Sequence, residues 1–180
     1  WGVSADGNVV VGESRDGLGR LHAFRWISGV MQDLGGFGSG ASVAKAASAD
    51  GGAVAGAVQV SSNWRAMRWT PTSGLLNLGT LGGDSYAVGI SGDGLAVVGN
   101  SVNPSDQWRA FRWTEAGGME NLGTLGGNYS DVSAISEDGL VVVGTSTNVA
   151  SQTRAYRWSA GGGMQDLGTL GKAFATAQAV

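Results

Sequence analysis

Four kinds of side chain here are of a type that does chemistry, and three of them recur at matching places along the chain. His22 is the only histidine, so no histidine-based metal site or Ser-His-Asp triad is expected. Arginine takes its place in the other copies of the same motif, at Arg65, Arg109 and Arg154, and a position that accepts either base is structural or surface. Asp6, Asp50, Asp93 and Asp138 each sit in Ser-x-Asp-Gly. Calcium loops gather several oxygen ligands within a few residues, whereas each of these turns offers one Asp, with Glu137 beside it in one copy, so hairpin turns are expected and metal ligation is not. Arg25, Arg68, Arg112 and Arg157 each precede a tryptophan. Stacking over an aromatic ring, or pairing with a repeated Asp, is expected of them ahead of anion binding by a ring of arginines. Trp64 and Trp108 are different: the other copies carry Leu21 and Thr153 there, so the repeat does not require them. They are the candidate contacts for a sugar or a protein ligand. The glycines of Leu-Gly-Thr-Leu-Gly-Gly open no helix and are not a phosphate cradle.

What must position these groups is a repeat. Arg109-Ala110-Phe111-Arg112-Trp113-Thr114 is matched by His22 to Ile27, by Arg65 to Thr70 and by Arg154 to Ser159, and Trp26, Trp69, Trp113 and Trp158 lie 43, 44 and 45 residues apart. A fixed period of this size means a solenoid, a propeller or an array. Asp-Gly between two apolar runs is a hairpin signal. The run after it is apolar without alternation (Val9-Val10-Val11, Ala53-Val54-Ala55, Ala96-Val97-Val98, Val141-Val142-Val143), which marks a strand covered on both faces. A glycine closes each of these runs. The aromatic motif then alternates, with Arg109, Phe111 and Trp113 on one face and Ala110, Arg112 and Thr114 on the other. A glycine turn and a fourth strand ending in Leu-Gly complete the unit.

Four short strands per period with no helical pattern make an all-β fold, a β-propeller-type array of four repeats of four strands. The array is either a closed small propeller or part of a larger or open assembly. The repeats run over residues 1–43, 44–86, 87–131 and 132–176, and residues 177–180 re-enter the first strand of a further repeat. Trp26, Trp69, Trp113 and Trp158 are expected to be buried, with Phe24, Met67, Phe111 and Tyr156 beside them.

Composition narrows the function. Of 180 residues 33 are glycine and 42% are hydrophobic, without a glycine triplet, so neither collagen nor disorder fits. A net charge of −3 argues against nucleic acid, and seven of the eleven Lys+Arg residues belong to the two repeated arginine positions. With no cysteine there is neither a disulfide nor a thiolate metal site, and no cofactor is expected. No apolar run is long enough to span a membrane.

The chain starts at Trp1, without an initiator Met or signal peptide, which suggests a mature product or an excerpt. Trp1-Gly2-Val3-Ser4 matches Val88-Gly89-Ile90-Ser91, while Ala177-Gln178-Ala179-Val180 matches Ala87-Val88-Gly89-Ile90. Two stubs thus claim one strand slot. The segment Ala175, Thr176, Ala177, Gln178, Ala179 and Val180 is expected to form a strand that completes the chain's own first unit or that of a neighbour. Unpaired strand edges invite such pairing, and passing the strand on head to tail builds a filament. Trp1, Gly2, Val3 and Ser4 with residues 175–180 are therefore the candidate self-assembly residues.

His22-Ala23-Phe24, the Arg-Trp pairs, Ser-x-Asp-Gly-x-x-Val-Val-Gly and Leu-Gly-x-Leu-Gly-Gly together resemble the HAF-repeat family of bacterial probable extracellular repeat proteins. The other copies drift to Arg-Ala-Met, Arg-Ala-Phe and Arg-Ala-Tyr. The resemblance implies an extracellular or cell-surface location and no enzyme activity. The expected function is a structural, assembly or adhesive role, with the chain itself as partner. The alternative is a glycan- or protein-binding module using the loops around Trp64 and Trp108. Because a ligand that binds the folded state must stabilise it, added calcium should leave the melting temperature unchanged; a clear upward shift would make the Asp-Gly turns metal sites.

Overall fold

The computed structural model describes residues 1–180, which form sixteen strands and no helix. The strands are arranged as four antiparallel four-stranded sheets, each built from consecutive strands. The first sheet comprises β1 (Gly2–Val3), β2 (Val9–Arg15), β3 (Leu21–Ile27) and β4 (Val30–Asp33). The second comprises β5 (Ser42–Ala47), β6 (Val54–Val60), β7 (Asn63–Thr70) and β8 (Gly74–Asn77). The third has β9 (Ser85–Ile90), β10 (Ala96–Val102), β11 (Trp108–Thr114) and β12 (Gly118–Asn121), and the fourth β13 (Gly126–Ile135), β14 (Val141–Asn148), β15 (Thr153–Ser159) and β16 (Gly163–Asp166). The fold is the expected propeller-type array, and the sheets pack one on the next in chain order as an open series. The first strands β1, β5, β9 and β13 touch one another in succession and form the inner edge. Observed first strands begin at 42, 85 and 126, slightly upstream of the repeat limits read from the sequence.

Each sheet has a backward face towards the preceding sheet and a forward face towards the next. The aromatic strand supplies both. Phe111 and Trp113 point backward into one cluster with Ala66 and Leu78 of the second sheet, while Ala110 and Leu122 point forward to Tyr156 and Trp158 of the fourth. The strand before it is apolar throughout for the same reason: Val97 packs backward and Val98 forward. The first and second sheets meet likewise, through Val11, Ala23 and Leu34 against Val54, Met67 and Trp69. A large ring on one side against an alanine on the other lets neighbouring sheets interlock at interior density.

The closing glycines have a steric cause. A Cβ on Gly56, Gly99 or Gly144 would collide with the carbonyl oxygen of Val43, Tyr86 or Asp131, where the inner strand bulges towards its partner. The Asp-Gly turns owe their geometry to a left-handed glycine, at φ between 65° and 75° for Gly7, Gly51, Gly94 and Gly139.

Two expectations need correction. Trp26 is 36% exposed, against 6, 7 and 4% for Trp69, Trp113 and Trp158, and Phe24 is only half-buried. Both lie on the backward face of the first sheet, which no other sheet covers. Residues 175–180 carry no strand; the segment is tied back by the amide of Ala175, which donates to the carbonyl of Thr153 at 3.1 Å. Loss of Trp113 to Ala should cost ~3–5 kcal/mol in a denaturant titration, as for a packed core aromatic. Trp26→Ala should cost less than about half of that, since much of its ring is already in water.

Candidate functional site

The Ser-x-Asp-Gly turns form a closed local network. The hydroxyls of Ser4, Ser48, Ser91 and Ser136 donate to the Asp carboxylate two residues on at 2.5–2.7 Å, and accept the amide five residues on at 2.9 Å. The same carboxylate accepts the amide of Asn8, Gly52, Leu95 or Leu140. Every Asp is thus engaged as a turn former. The serine hydroxyl first, then the backbone amide, holds Asp50, Asp93 and Asp138 below the usual carboxylate range and brings Asp6 to about 2.

The repeated arginines neither stack on a ring nor bind the Asp carboxylate. They reach into the neighbouring sheet. Arg25 Nε donates to the carbonyl of Gly51 at 2.7 Å, Arg68 Nε to Gly94 at 2.7 Å and Arg112 Nε to Gly139 at 3.1 Å. The reason is reach: from the forward face the guanidinium meets the glycine carbonyl of the next Asp-Gly turn. His22 is buried, with Nδ1 2.9 Å from Asp33, and Arg154 sits 3.9 Å from the equivalent Asp166. The histidine therefore takes over a link between third and fourth strands. Burial pushes the Asp33 carboxyl up, but the His22 ring and the Gly35 amide outweigh it and hold it low.

Chemistry collects at the opposite end of the sheets, where the second strand turns into the third. Trp64 opens the aromatic strand of the second sheet, with its amide held by Asp84 Oδ1 at 3.0 Å. Its ring lies 5.9 Å from Tyr86 on the inner strand of the third sheet, and Tyr86 lies 6.0 Å from Trp108, with planes tilted by 33° and 40°. The row ends on Tyr129 of the fourth sheet, which with Tyr86, Asn100, Trp108 and Ser130 lines a cavity of about 270 Å³. Trp108 stays 38% exposed. The two sequence-derived contacts are thus joined into one row by Tyr86.

Polar groups fix the row. Tyr129 donates its hydroxyl to Asp131 Oδ2 at 3.1 Å, and Asn100 Nδ2 donates to Asp131 Oδ1 at 2.6 Å while Asn100 Oδ1 accepts the amide of Val132. Tyr86 faces Asp84 Oδ2 at 3.5 Å. Burial, then the adjacent Asp charge, raises both phenols above their usual range, so they remain neutral donors. Tyr86, Tyr129, Asn100, Asp84 and Asp131 were not singled out from the sequence. A signal was there: Tyr and Asp flank the buried serine in both Asp84-Ser85-Tyr86 and Tyr129-Ser130-Asp131, where the second repeat has Ala41-Ser42-Val43.

The terminal candidates are placed apart from this row. Gly2 and Val3 pair with Val11 and Val10, the Ser4 hydroxyl belongs to its turn, and the Trp1 ring is exposed under Lys45 Nζ at 3.8 Å. The residues from Ala175 to Val180 do not join them.

No protein-family model matches the sequence, and no curated protein matches it. Among solved structures the chain is similar to TolB from Acinetobacter baumannii (TM-score 0.67, 16% identity), over 96% of this chain and 43% of that one. It is similar to a putative TolB from Agrobacterium tumefaciens (TM-score 0.66, 16% identity, 92% and 63% covered). A third match is an arginine-to-alanine triple mutant of AofleA from Arthrobotrys oligospora (TM-score 0.53, 13% identity, 93% and 55% covered). The chain spans roughly half the length of these structures. All are β-propellers, and at these identities the likeness is one of fold.

Acid should act through the turns. A carboxylate with a depressed folded pKa contributes stability above its unfolded value, and that contribution is lost as pH falls through the folded value. For Asp6 the window runs from the ordinary 3.8 down to about 2. Asp6→Asn should therefore be mildly destabilising at neutral pH, and the gap to the native chain should close across that window in denaturant titrations. A gap unchanged by acid would mean that the ionised carboxylate does not hold the turn.

Proposed function

We propose that the chain is a non-enzymatic adhesive repeat module of the cell exterior, whose row Trp64-Tyr86-Trp108-Tyr129 is the seat of a glycan. The observation that carries this reading is the row itself: four aromatic side chains from three successive sheets, none repeated elsewhere at its position, converging on one cavity. Sugar rings present flat C–H faces with hydroxyls at their edges. Exposed indole and phenol faces suit the first, and Asn100, Ser130 and the tyrosine hydroxyls suit the second.

The site's charge supports a neutral ligand over a cationic one. Both Asp131 oxygens already accept bonds from Asn100 and Tyr129, and Asp84 accepts the Trp64 amide with Arg65 3.7 Å away. Compensated carboxylates pull weakly on a cation yet still accept from a hydroxyl. The rim placement also suits binding, since loops at the end of a rigid scaffold are where recognition residues concentrate. The extracellular location rests on the HAF-like motifs. A role in assembly is the second reading, favoured by the uncovered faces of the first and fourth sheets.

A glycan array followed by calorimetry on the best hit tests this. Trp108→Ala should weaken binding at least ~10-fold, as for an interface hot spot, while shifting the unfolding midpoint little because the ring is already partly in water. An array without hits, or a Trp108→Ala chain that binds as the native one does, would remove the glycan reading.

A further inference from the structure

The three sheet-to-sheet joints are copies of one another, and their two halves also occur unpaired. Leu34, Leu78 and Leu122, the forward leucines after the fourth strands, are 6, 5 and 5% exposed, but Leu167 is 55% exposed. On the backward side Val54, Val97 and Val142 are fully buried, while Val10 is 37% exposed and Trp26 lies open beside it. The polar links show the same two loose ends. A backbone chain runs from Ala5 N to Ala49 O, Ala49 N to Gly92 O and Gly92 N to Glu137 O, at 2.8–3.0 Å, and leaves the Glu137 amide and the Ala5 carbonyl outside it. Arg157 has no turn carbonyl to match those held by Arg25, Arg68 and Arg112, and Gly7 carries the one that corresponds.

The inner edge is incomplete in a matching way. In the third sheet β9 pairs with β10 from Ile90 to Ser85, but in the first sheet only Gly2 and Val3 face β2. Gly12, Glu13 and Ser14 lack an inner-strand partner, and no carbonyl stands over Gly12 as one does over Gly56, Gly99 and Gly144. By repeat position the missing half-strand corresponds to Ala175-Thr176-Ala177, which forms no strand within its own chain.

We infer that the fourth sheet of one molecule seats the first sheet of a second copy of this chain, reproducing the internal joint between molecules. Leu167 packs under Val10, Phe24 and Trp26 of the second copy. Arg157 meets its Gly7 carbonyl, the Glu137 amide meets its Ala5 carbonyl, and Ala175 to Ala177 lie along its Gly12 to Ser14. One internal link is missing from this joint. The buried serines Ser42, Ser85 and Ser130 accept the amides of Ala23, Ala66 and Ala110 across the joint at 2.8–3.0 Å, and Ala175 stands where the next serine belongs. The intermolecular joint is therefore weaker than the internal ones, which suits reversible association. It is head to tail, so each molecule offers one half of it at each end.

Light scattering on the 180-residue chain over a concentration series tests the joint, and complementary variants identify its halves. The native chain should grow in mass with concentration. Leu167→Glu, which spoils the forward face, and Trp26→Glu, which spoils the backward face, should each stay monomeric at every concentration. Mixed one to one they should give a dimer, twice the monomer mass and no larger, because each retains the half the other lost. Circular dichroism checks folding, and Val10→Glu replaces Trp26→Glu if the latter unfolds. A native chain that remains monomeric at the highest concentration, whether by closing on itself or because only further repeats of its own polypeptide fit these faces, would overturn the proposal. So would a variant that still assembles alone or a mixture that fails to dimerise. Glycan binding by the aromatic row is untouched by either variant, so the two readings fail separately.

Discussion

A four-stranded sheet that is apolar on both faces cannot stand in water by itself, and everything else in this molecule follows from meeting that condition. Hydrophobic burial is the dominant favourable term in folding, and here it is available only between sheets. The second strand must therefore be valine or alanine at successive positions, not at alternate ones, because Val97 and Val98 face different neighbours. The aromatic strand can be asymmetric, large behind and small in front, only because each neighbour repeats the same asymmetry. Polar links then set the spacing: Arg112 on the Gly139 carbonyl and the Ser130 hydroxyl on the Ala110 amide act across the same gap the rings fill. Apolar contact provides the attraction, and directional hydrogen bonds provide the register.

How far the sequence reveals this depends on whether a feature repeats. The period, the turns, the doubly covered strand and the aromatic face could be read because four copies agree where a single one would be ambiguous. The burial of Trp26 was misjudged for the opposite reason: sequence equivalence predicts equal environments, but a residue's burial depends on the neighbour that its sheet faces. The arginines were misassigned because strand alternation says which way a side chain leaves the sheet and not what waits across the gap. Gly51, Gly94 and Gly139 offer a backbone carbonyl there, which has no sequence signature beyond the turn itself.

The aromatic row was half legible. Trp64 and Trp108 stood out as departures from the repeat. Tyr86 and Tyr129 did not, because one follows and the other precedes the buried serine, so a simple column comparison does not align them. On the strand both lie on the same side, two residues from an Asp that takes the other flank. Period-two geometry makes the swap invisible to the fold and keeps the pair together at the rim. Residues that vary on a constant frame are where such a protein is free to acquire a binding surface.

The backbone chain from Ala5 through Ala49 and Gly92 to Glu137 has a consequence for how such genes change length. Each repeat gives its amide to the repeat that follows and offers its carbonyl to the repeat before, so every internal joint is interchangeable with every other. Unequal crossing-over that gains or loses one whole period of coding sequence leaves no mismatched donor or acceptor at the seam. A gain or loss that is not a whole period breaks the chain and exposes a sheet face at once. Selection on folding alone is thus enough to hold the period near 44 residues while the loops that carry Trp64 and Trp108 drift freely.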